Sequence, residues 1–269
     1  MVAIGDPGLP PPIVVLGIGG SGTRLVAEML IEAGVFLGTR RNRAADAQVI
    51  GQFLRRSASR YLDESRWIET LSRDPEARLP GAPERSLVDE FKAALAIHLE
   101  EIPSPGMAWG WKNPRTVYVL PALHSVVRGA RVVQLVRDGR DIAYSRNQNQ
   151  LEVYGERLVG DLADYPGPVR SAALWSRVNL AAYACGRRLG GDAHLVVRYE
   201  ELCERPAAEA RRLLAGVGLP ADDDAVERAA ALASVSPSAG RWRHRDPKEI
   251  ARIEEIAGDG LRRFGYLDG

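Results

Sequence analysis

The chain has 269 residues, 45% of them hydrophobic, which is enough for one large buried core and favours a single domain. Its 36 basic and 35 acidic side chains nearly balance, so the overall charge does not indicate a nucleic acid or membrane partner. The two cysteines, Cys185 and Cys203, lack metal-binding spacing and are predicted core residues of a protein in a reducing compartment. No apolar run reaches the roughly 20 residues of a membrane helix, and the first residues are unlike a signal peptide. We therefore expect a cytoplasmic protein.

The first predicted element is a buried strand that leads into a glycine-rich loop. Residues 13–17, IVVLG, form a short β-branched run after three prolines, as is typical of a parallel strand. From Thr23 onward apolar residues recur every three or four positions, which predicts a helix that ends at Gly34. A strand, a glycine loop and a helix in this order can bind phosphate through the free backbone N–H groups of the helix N-terminus.

The glycine loop itself has more than one interpretation. Gly17, Gly19 and Gly22 have the G-x-G-x-x-G spacing of a dinucleotide-binding turn, and the arginines after the helix fit the 2′-phosphate of NADP. Ser21 and Thr23 flank a glycine and instead offer hydroxyl groups to phosphate oxygens. The ATP-type P-loop pattern is not met, because no lysine precedes the hydroxyl residue. A tight turn with an N-cap threonine and no ligand is the structural alternative.

The remainder of the chain alternates helices with strands. Residues 39–82 are polar and arginine-rich and are predicted to be an irregular insertion that contains helix. The predicted strands are residues 107–112, 130–136 and 193–199, and the predicted helices are residues 86–102, 116–127, 168–189, 206–220 and 249–264. This alternation predicts an α/β fold with a mostly parallel central sheet flanked by helices. Ligands of such sheets bind beyond the carboxyl ends of the strands, so the loops after the four strands should converge on one site.

The stretch VVQLVRDGRDIAYS predicts a second phosphate-binding element. It places Arg137 at the end of a buried strand, in front of a polar turn at residues 137–141, and it places Ser145 eight residues after Arg137. A guanidinium and a hydroxyl that meet across a short turn can together bind a phosphate monoester.

Taken together, these motifs resemble the sulfotransferase superfamily, whose members use 3′-phosphoadenosine 5′-phosphosulfate (PAPS) and release PAP. The matching stretches are GGSGTRLVAEML, WGWKNPRTVYVLPAL, VVQLVRDGRDIAYS, VVRYEELCERPAAEARRLLAGVGLP and SAGRWR, in the family's order. They are more similar to the bacterial and carbohydrate-type members than to the phenol and steroid enzymes. The resemblance implies one P-loop-type sulfotransferase domain over residues 1–269. It also implies direct in-line sulfuryl transfer, without a metal, to a hydroxyl or amine of a small-molecule or glycan acceptor.

The resemblance further implies two groups of nucleotide-binding residues. Those expected around the 5′-phosphosulfate are Gly19, Gly20, Ser21, Gly22, Thr23 and Arg24. Those expected around the rest of the nucleotide are Arg137 and Ser145 at the 3′-phosphate, Tyr199 near the adenine, and Gly240 and Arg241 closing over the 3′-phosphate. Taken singly, Arg137 is also explained as a surface charge and Tyr199 as a core residue.

One position departs from the family pattern. Gly20 stands where the family carries a lysine or arginine that meets the charge growing on the leaving phosphate. A single donor of this kind is worth roughly a hundredfold to a thousandfold in rate. Lys112, one of only three lysines and set at a strand end, is the preferred catalytic replacement, and Arg24 is the alternative. An exposed strand-end charge is the structural explanation of Lys112.

The acceptor also needs a general base. Pro114 occupies the position of the histidine in the cytosolic branch, so that role cannot be transferred here. Asp46, the single acid between residues 33 and 62, is the best carboxylate candidate. The surrounding arginines are expected to keep it ionised, which makes it a weak base, and an ordinary salt bridge is an equal alternative.

Two polar segments, residues 39–82 and 146–167, are expected to form the acceptor pocket and lid. Their arginines favour an acceptor with some negative charge. Three functions remain open from the sequence: a PAPS-dependent sulfotransferase, an NADP-dependent Rossmann oxidoreductase, and a non-catalytic PAP-binding protein of the same fold, which Gly20 makes plausible.

Overall fold

Four parallel strands form the centre of the protein in a computed structural model that describes residues 9–234 and 236–268. The strands are β1 (Ile13–Gly17), β2 (Gly110–Lys112), β3 (Arg131–Val136) and β4 (His194–Arg198). They are arranged in the order β2-β1-β3-β4, and every neighbouring pair is parallel. The predicted single-domain α/β fold with a parallel central sheet is therefore confirmed.

Helices cover both faces of this sheet. They are α1 (Thr23–Glu32), α2 (Gln48–Ser65), α3 (Trp67–Arg73), α4 (Arg85–Leu99), α5 (Leu120–Val126), α6 (Gly139–Ala143), α7 (Asn149–Val159), α8 (Gly167–Leu189), α9 (Tyr199–Glu204), α10 (Pro206–Gly216), α11 (Asp223–Ala230) and α12 (Pro247–Arg263). Short 3-10 helices span Pro114–Val119, Gly160–Leu162, Gly191–Ala193 and Arg241–His244. No helix among the described residues is both long and apolar enough to cross a lipid bilayer.

The hydrophobic core is divided into two layers by the sheet. Val14 and Leu16 of β1 pack into the larger layer with α2, α3, α4, α5, α8 and α12. Ile13 and Val15 point to the opposite face, where they pack with α1, α10 and α11. This division follows from the period of a strand, in which successive side chains alternate between the two faces. Because both faces are buried, β1 consists almost entirely of apolar residues.

Three local predictions need correction. The insertion at residues 39–82 is more regular than predicted, because α2 and α3 run almost continuously through residues 48–73 and bury an apolar face. The turn predicted at residues 137–141 is the start of α6, whose first N–H groups are capped by Asp138. Cys185 is buried as predicted, whereas Cys203 is only partly buried. Its thiol donates to the carbonyl of Ser234 at 3.5 Å.

A buried histidine at the start of β4 makes stability depend on pH. The Nε2 atom of His194 lies 2.9 Å from Gln134 Oε1, and the burial of the imidazole lowers its pKa to about 3. The unfolded chain binds a proton near pH 6.5 instead, so stability is complete above that pH and is lost as pH falls toward the folded value. Between pH 7 and pH 5 we expect His194 to account for a loss of about 1–2 kcal/mol in unfolding free energy.

Urea unfolding of two variants at pH 7 and pH 5 checks this expectation. His194→Gln should reduce the difference between the two pH values, whatever its effect at pH 7. His244→Gln, a change at an exposed histidine, should leave that difference as it is in the wild type. If the two variants keep the same pH dependence, His194 does not carry the effect.

Candidate active site at the carboxyl edge of the sheet

The loops that follow β1, β3 and β4 meet at the carboxyl edge of the sheet. Arg137, directly after β3, donates from Nη1 to the carbonyl of Gly20 at 3.4 Å. Its guanidinium also lies 4.8 Å from the centre of the Tyr199 ring, which follows β4. The Tyr199 ring in turn packs on Gly22. The structure therefore brings together the glycine loop, Arg137 and Tyr199, which are distant in sequence.

Two glycines allow the loop to fit so closely against its neighbours. Gly20 and Gly22 have φ values of +91° and +90°, in the left-handed region that side-chain-bearing residues avoid. A Cβ atom on Gly22 would lie 2.5 Å from the Tyr199 ring, and one on Gly20 would lie 2.7 Å from Ser145 Oγ. Both positions therefore require glycine for conformation and for space. The space that a side chain at position 20 would occupy is taken by Ser145.

The hydroxyl of Ser21 is a buried group that lacks a partner. Ser21 is fully buried, and its Oγ accepts or donates no hydrogen bond within the described part of the chain. A buried polar atom without a partner costs about 1–3 kcal/mol, so native structures leave few of them without a reason. The position of this hydroxyl in a glycine loop at the start of α1 fits a site for a phosphate oxygen.

The larger of two cavities beside this loop has a volume of about 720 Å³ and carries concentrated positive charge. Its lining residues are Gly20, Arg137, Tyr144, Ser145, Arg146, Asn147, Pro237, Ser238, Arg241 and Arg245. Four of these are arginines and none is acidic. Arg137 is only 4% exposed, and its Nε has no partner among the described residues. Burial, followed by the charge of Arg137, lowers the pKa of Arg241. These properties are favourable for binding an anion.

Asp141 connects Arg137 to the loop that closes this cavity. Its carboxylate, buried at 2% exposure, accepts hydrogen bonds from Arg137 Nη2 at 3.2 Å and from the backbone N–H groups of Gly240 at 2.8 Å and Trp242 at 3.3 Å. These bonds hold Arg241 at the cavity. Asp141 was not among the site residues predicted from the sequence, although its position four residues after Arg137 in RDGRD places both on one face of a helical turn.

The smaller cavity, of about 230 Å³, lies on the other side of the glycine loop. Its lining residues are Gly19, Asn42, Asp46, Gln48, Arg55, Asn113, Pro114, Arg115, Asn147, Asn149 and Gln150. Among the described residues Asn147 alone lines both cavities, and the adjacent glycines Gly19 and Gly20 face one cavity each. The two cavities therefore meet at the glycine loop and Asn147.

The two predicted catalytic residues form an ion pair in which Lys112 is buried and Asp46 is partly exposed. Lys112 Nζ donates to Asp46 Oδ1 at 2.5 Å and to the carbonyl of Ala44 at 2.8 Å, and its side chain is 2% exposed. The second oxygen of Asp46 accepts from Asn42 Nδ2 at 2.8 Å. Burial lowers the pKa of Lys112, and the Asp46 carboxylate opposes that shift. The cation in contact with Asp46 is thus Lys112, not an arginine as the sequence analysis expected, and Lys112 is not an exposed strand-end charge.

The remaining predicted residues differ in how closely they approach the cavities. The Arg24 side chain is 60% exposed and pairs with Glu28 along α1, so it does not occupy the space beside Gly20. Tyr199 is 6% exposed and does not line the larger cavity, and its hydroxyl accepts from the Ser236 N–H at 3.2 Å. Thr23 is nearly buried, and the residue that caps α1 is Gly22 rather than Thr23. Within residues 9–234 and 236–268 no cluster of three or more metal-ligating side chains occurs.

The family is established by comparison with known proteins. The model of the sulfotransferase family matches residues 11–223, which is most of the chain, so the chain belongs to that family. A search of curated protein sequences found no match.

Solved structures resemble the chain over nearly its whole length. The sulfotransferase domain of the Synechococcus olefin synthase has a TM-score of 0.57 at 17% identity, covering 98% of both chains. A sulfotransferase from Mycobacterium avium has a TM-score of 0.55 at 14% identity, covering 98% of this chain and 79% of its own. A mouse sulfotransferase crystallised with PAP has a TM-score of 0.51 at 14% identity, covering 94% of this chain and 85% of its own. At these identities the likeness shows the fold alone.

The geometry of Gly20 predicts that restoring the family's basic residue there will damage the protein. Gly20→Arg imposes a left-handed backbone on a residue that carries a Cβ atom, and it drives that Cβ into Ser145. We expect a loss of unfolding free energy of about 2–4 kcal/mol from strain and overpacking together. Gly34→Arg is the matched control, because Gly34 has a similar φ of +85° but open space around its Cβ position. Denaturant unfolding should show a larger loss for Gly20→Arg, and equal losses would contradict the clash.

Proposed function

We propose that the protein transfers a sulfuryl group from PAPS to an acceptor hydroxyl, with the nucleotide in the larger cavity and the acceptor in the smaller one. The observation that supports this most directly is the position of the arginine-lined cavity. It lies against the glycine loop of a sulfotransferase-family chain, and its lining contains four arginines and no carboxylate. A nucleotide with phosphates at both ends of its ribose requires such a surface.

Two unpartnered polar atoms support the fit of the nucleotide. Ser21 Oγ and Arg137 Nε are both buried without a partner in the described residues, at two separate points of the site. We assign the 5′ end of the nucleotide to the glycine loop, with Ser21 and the N–H groups that open α1. We assign the 3′-phosphate to Arg137, with Ser145, Arg241 and the backbone at Gly240 around it. Tyr199, packed on Gly22, supports the loop and borders the expected adenine site.

The reaction follows from the position of Asp46 in the smaller cavity. When bound, PAPS supplies the sulfuryl group: the acceptor oxygen bonds to sulfur while the bond from sulfur to the 5′-phosphate oxygen breaks, which leaves PAP. Asp46 takes the proton from the acceptor hydroxyl. Lys112 holds this carboxylate in place through the hydrogen bond from its Nζ to Asp46 Oδ1.

Asn147 is the residue we assign to the junction of the cavities, where the sulfuryl group must pass. Its Oδ1 lies 3.4 Å from the backbone N–H of Asn149, which orients the amide. Its Nδ2 lies 3.1 Å from the Cβ position of Gly19 and has no acceptor within the described residues. A neutral amide donor at this point contributes part of the charge stabilisation that the family obtains from the residue at Gly20.

The two segments predicted to bind the acceptor both contribute to the smaller cavity. Residues 39–82 provide four of its lining side chains, and residues 146–167 provide three more. We propose that these segments form the acceptor pocket and its lid within one sulfotransferase domain that spans residues 1–269. The acceptor we propose is a small molecule or glycan that presents a hydroxyl or amine to Asp46.

A thermal-shift comparison of PAP, NADPH and ATP tests the proposed function. A ligand that binds only the native state raises the unfolding temperature, and the rise grows with the logarithm of the ligand concentration once that concentration exceeds the dissociation constant. We expect PAP at millimolar concentration to raise the melting temperature by several degrees, and NADPH and ATP to have a much smaller effect. Stabilisation by NADPH without a response to PAP would overturn the sulfotransferase proposal.

A further inference from the structure

We infer that the acceptor is a polyhydroxylated molecule of the sugar type rather than an apolar phenol or sterol. This inference rests on the proposed function and adds the chemical class of the acceptor. It follows from the composition of the smaller cavity, in which carboxamides predominate. The six carboxamide side chains are Asn42, Gln48, Asn113, Asn147, Asn149 and Gln150. Within the part of the chain that the structure describes, no aromatic residue lines this cavity, and Pro114 is its one apolar side chain.

Several of these carboxamides are oriented by the protein so that their NH₂ groups remain available. Asn113 Oδ1 accepts from the N–H of Arg115 at 3.1 Å, because Asn113 caps the 3-10 helix that follows β2. Gln150 Oε1 accepts from the hydroxyl of Tyr118 at 3.0 Å. In both residues the oxygen is used internally, and the amide nitrogen has no acceptor within the described part of the chain. Asn147 shows the same arrangement at the mouth of the cavity.

The cavity therefore presents several N–H donors around one carboxylate. The free donors are the amide nitrogens of Asn113, Asn147 and Gln150, together with the guanidinium groups of Arg55 and Arg115, whereas Asn42 and Gln48 donate to Asp46 itself. Hydroxyl oxygens of a sugar accept from such donors, and the hydroxyl that faces Asp46 donates its proton to the carboxylate. A sugar satisfies this set because each of its hydroxyl groups both donates and accepts.

An apolar acceptor would leave the same groups without partners. Each donor that is removed from water and left unpaired costs about 1–3 kcal/mol, and sites built for hydrogen bonding reject analogues that lack the matching groups. The volume of about 230 Å³ is also below the roughly 300–1,000 Å³ of sites for drug-sized ligands. The cavity thus admits one ring-sized unit, such as a terminal sugar, rather than a fused ring system.

A matched pair of acceptors tests the inference. p-Nitrophenol carries a phenolic hydroxyl, whereas the p-nitrophenyl glycosides of glucose, galactose, mannose and glucuronic acid carry sugar hydroxyls on the same aromatic group. With PAPS as donor, we expect PAP release with at least one glycoside at ten or more times the rate seen with p-nitrophenol. Calorimetric titration of that glycoside into the protein saturated with PAP should show binding, and p-nitrophenol should show none.

The outcomes separate this inference from the proposed function. If PAP binds and p-nitrophenol is sulfated in preference to every glycoside, or if PAP binds and no glycoside binds or reacts, the sugar-type acceptor is wrong while the nucleotide site stands. If PAP itself does not bind, the proposed function fails first.

A variant of Asn113 provides an independent readout. Asn113→Ser keeps a capping oxygen for the 3-10 helix but removes the NH₂ group from the cavity. We expect the KM and the dissociation constant of the glycoside to rise about three- to tenfold, with PAP affinity unchanged. Gln52→Ser, at an exposed position of α2 outside both cavity linings, is the control and should change neither value. An unchanged glycoside affinity in Asn113→Ser would contradict the inference.

Discussion

Replacing Arg137 with alanine is expected to weaken PAP binding by about a hundredfold. The guanidinium is 4% exposed and lies between the glycine loop and Ser238, and its Nε remains unpartnered among the described residues. A charge-assisted hydrogen bond contributes about 1.5–3 kcal/mol, and Arg137 is positioned to make two to a phosphate. Calorimetric titration with PAP measures the loss directly. Arg128→Ala removes an exposed arginine that follows α5 and should leave the affinity unchanged.

Arg137→Ala also leaves the Asp141 carboxylate buried without its cation. Breaking a buried pair in this way destabilises proteins by about 3–5 kcal/mol, so the single variant can lose affinity through partial unfolding. Arg137→Lys separates the two effects, because it keeps a positive charge beside Asp141 but removes the planar fork that binds phosphate in a bidentate manner. We expect Arg137→Lys to be folded and still to bind PAP at least tenfold more weakly. Wild-type affinity in a folded Arg137→Lys would contradict bidentate binding of the 3′-phosphate.

Replacing Asp46 with asparagine is expected to slow sulfuryl transfer by about a hundredfold or more without changing the affinity for PAP. General-base catalysis contributes roughly 10²–10⁴ in rate, and asparagine keeps an oxygen for the hydrogen bond from Lys112 while losing basicity. Asp46 lines the smaller cavity and not the larger one, which is why nucleotide binding should be retained. Initial rates of PAP release with the most reactive acceptor of the glycoside panel, together with a PAP titration, give both quantities.

A change at Lys112 tests whether the rate depends on this particular lysine or on the loss of any positive charge. Lys112→Met removes the ammonium that holds Asp46, and we expect it to lower the rate by at least tenfold. Lys92→Met is the matched control, because Lys92 is an exposed lysine of α4 outside both cavities. Circular dichroism of each variant verifies folding. A wild-type rate in either Asp46→Asn or Lys112→Met would show that this pair does not take part in the reaction.

The sequence predicts the sheet well because the strands that carry the site are buried on both faces. Runs such as IVVLG have no polar alternation, and this is typical of a central parallel strand. α2 was harder to recognise, because its arginines and Gly51 obscure a buried stripe that includes Ile50, Leu54 and Leu62. The apolar runs therefore predicted which residues end the strands. The sequence did not predict that the insertion at residues 39–82 consists mostly of regular helix.

Long-range contacts explain what the sequence left open in the candidate site. The pairing of Lys112 with Asp46 joins residues 66 positions apart, and nothing in the local sequence indicates it. Gly20 looks like a missing basic residue when it is considered alone. In the structure Ser145, which lies 125 positions away along the chain, occupies the space that a side chain at position 20 would need. The glycine at position 20 and the serine at position 145 are therefore parts of one packing arrangement.

A pair of calorimetric titrations with PAP and AMP, which differ only in the 3′-phosphate, tests the assignment of the 3′-phosphate to Arg137. The larger cavity places Arg137 and Arg241 beside Ser145 without a neighbouring carboxylate in its lining. We predict that PAP binds at least a hundredfold more tightly than AMP, and that this difference becomes at least tenfold smaller in Arg137→Lys. Equal affinity of the wild-type protein for PAP and AMP would contradict this assignment, because the arginine cavity would then not be a 3′-phosphate site.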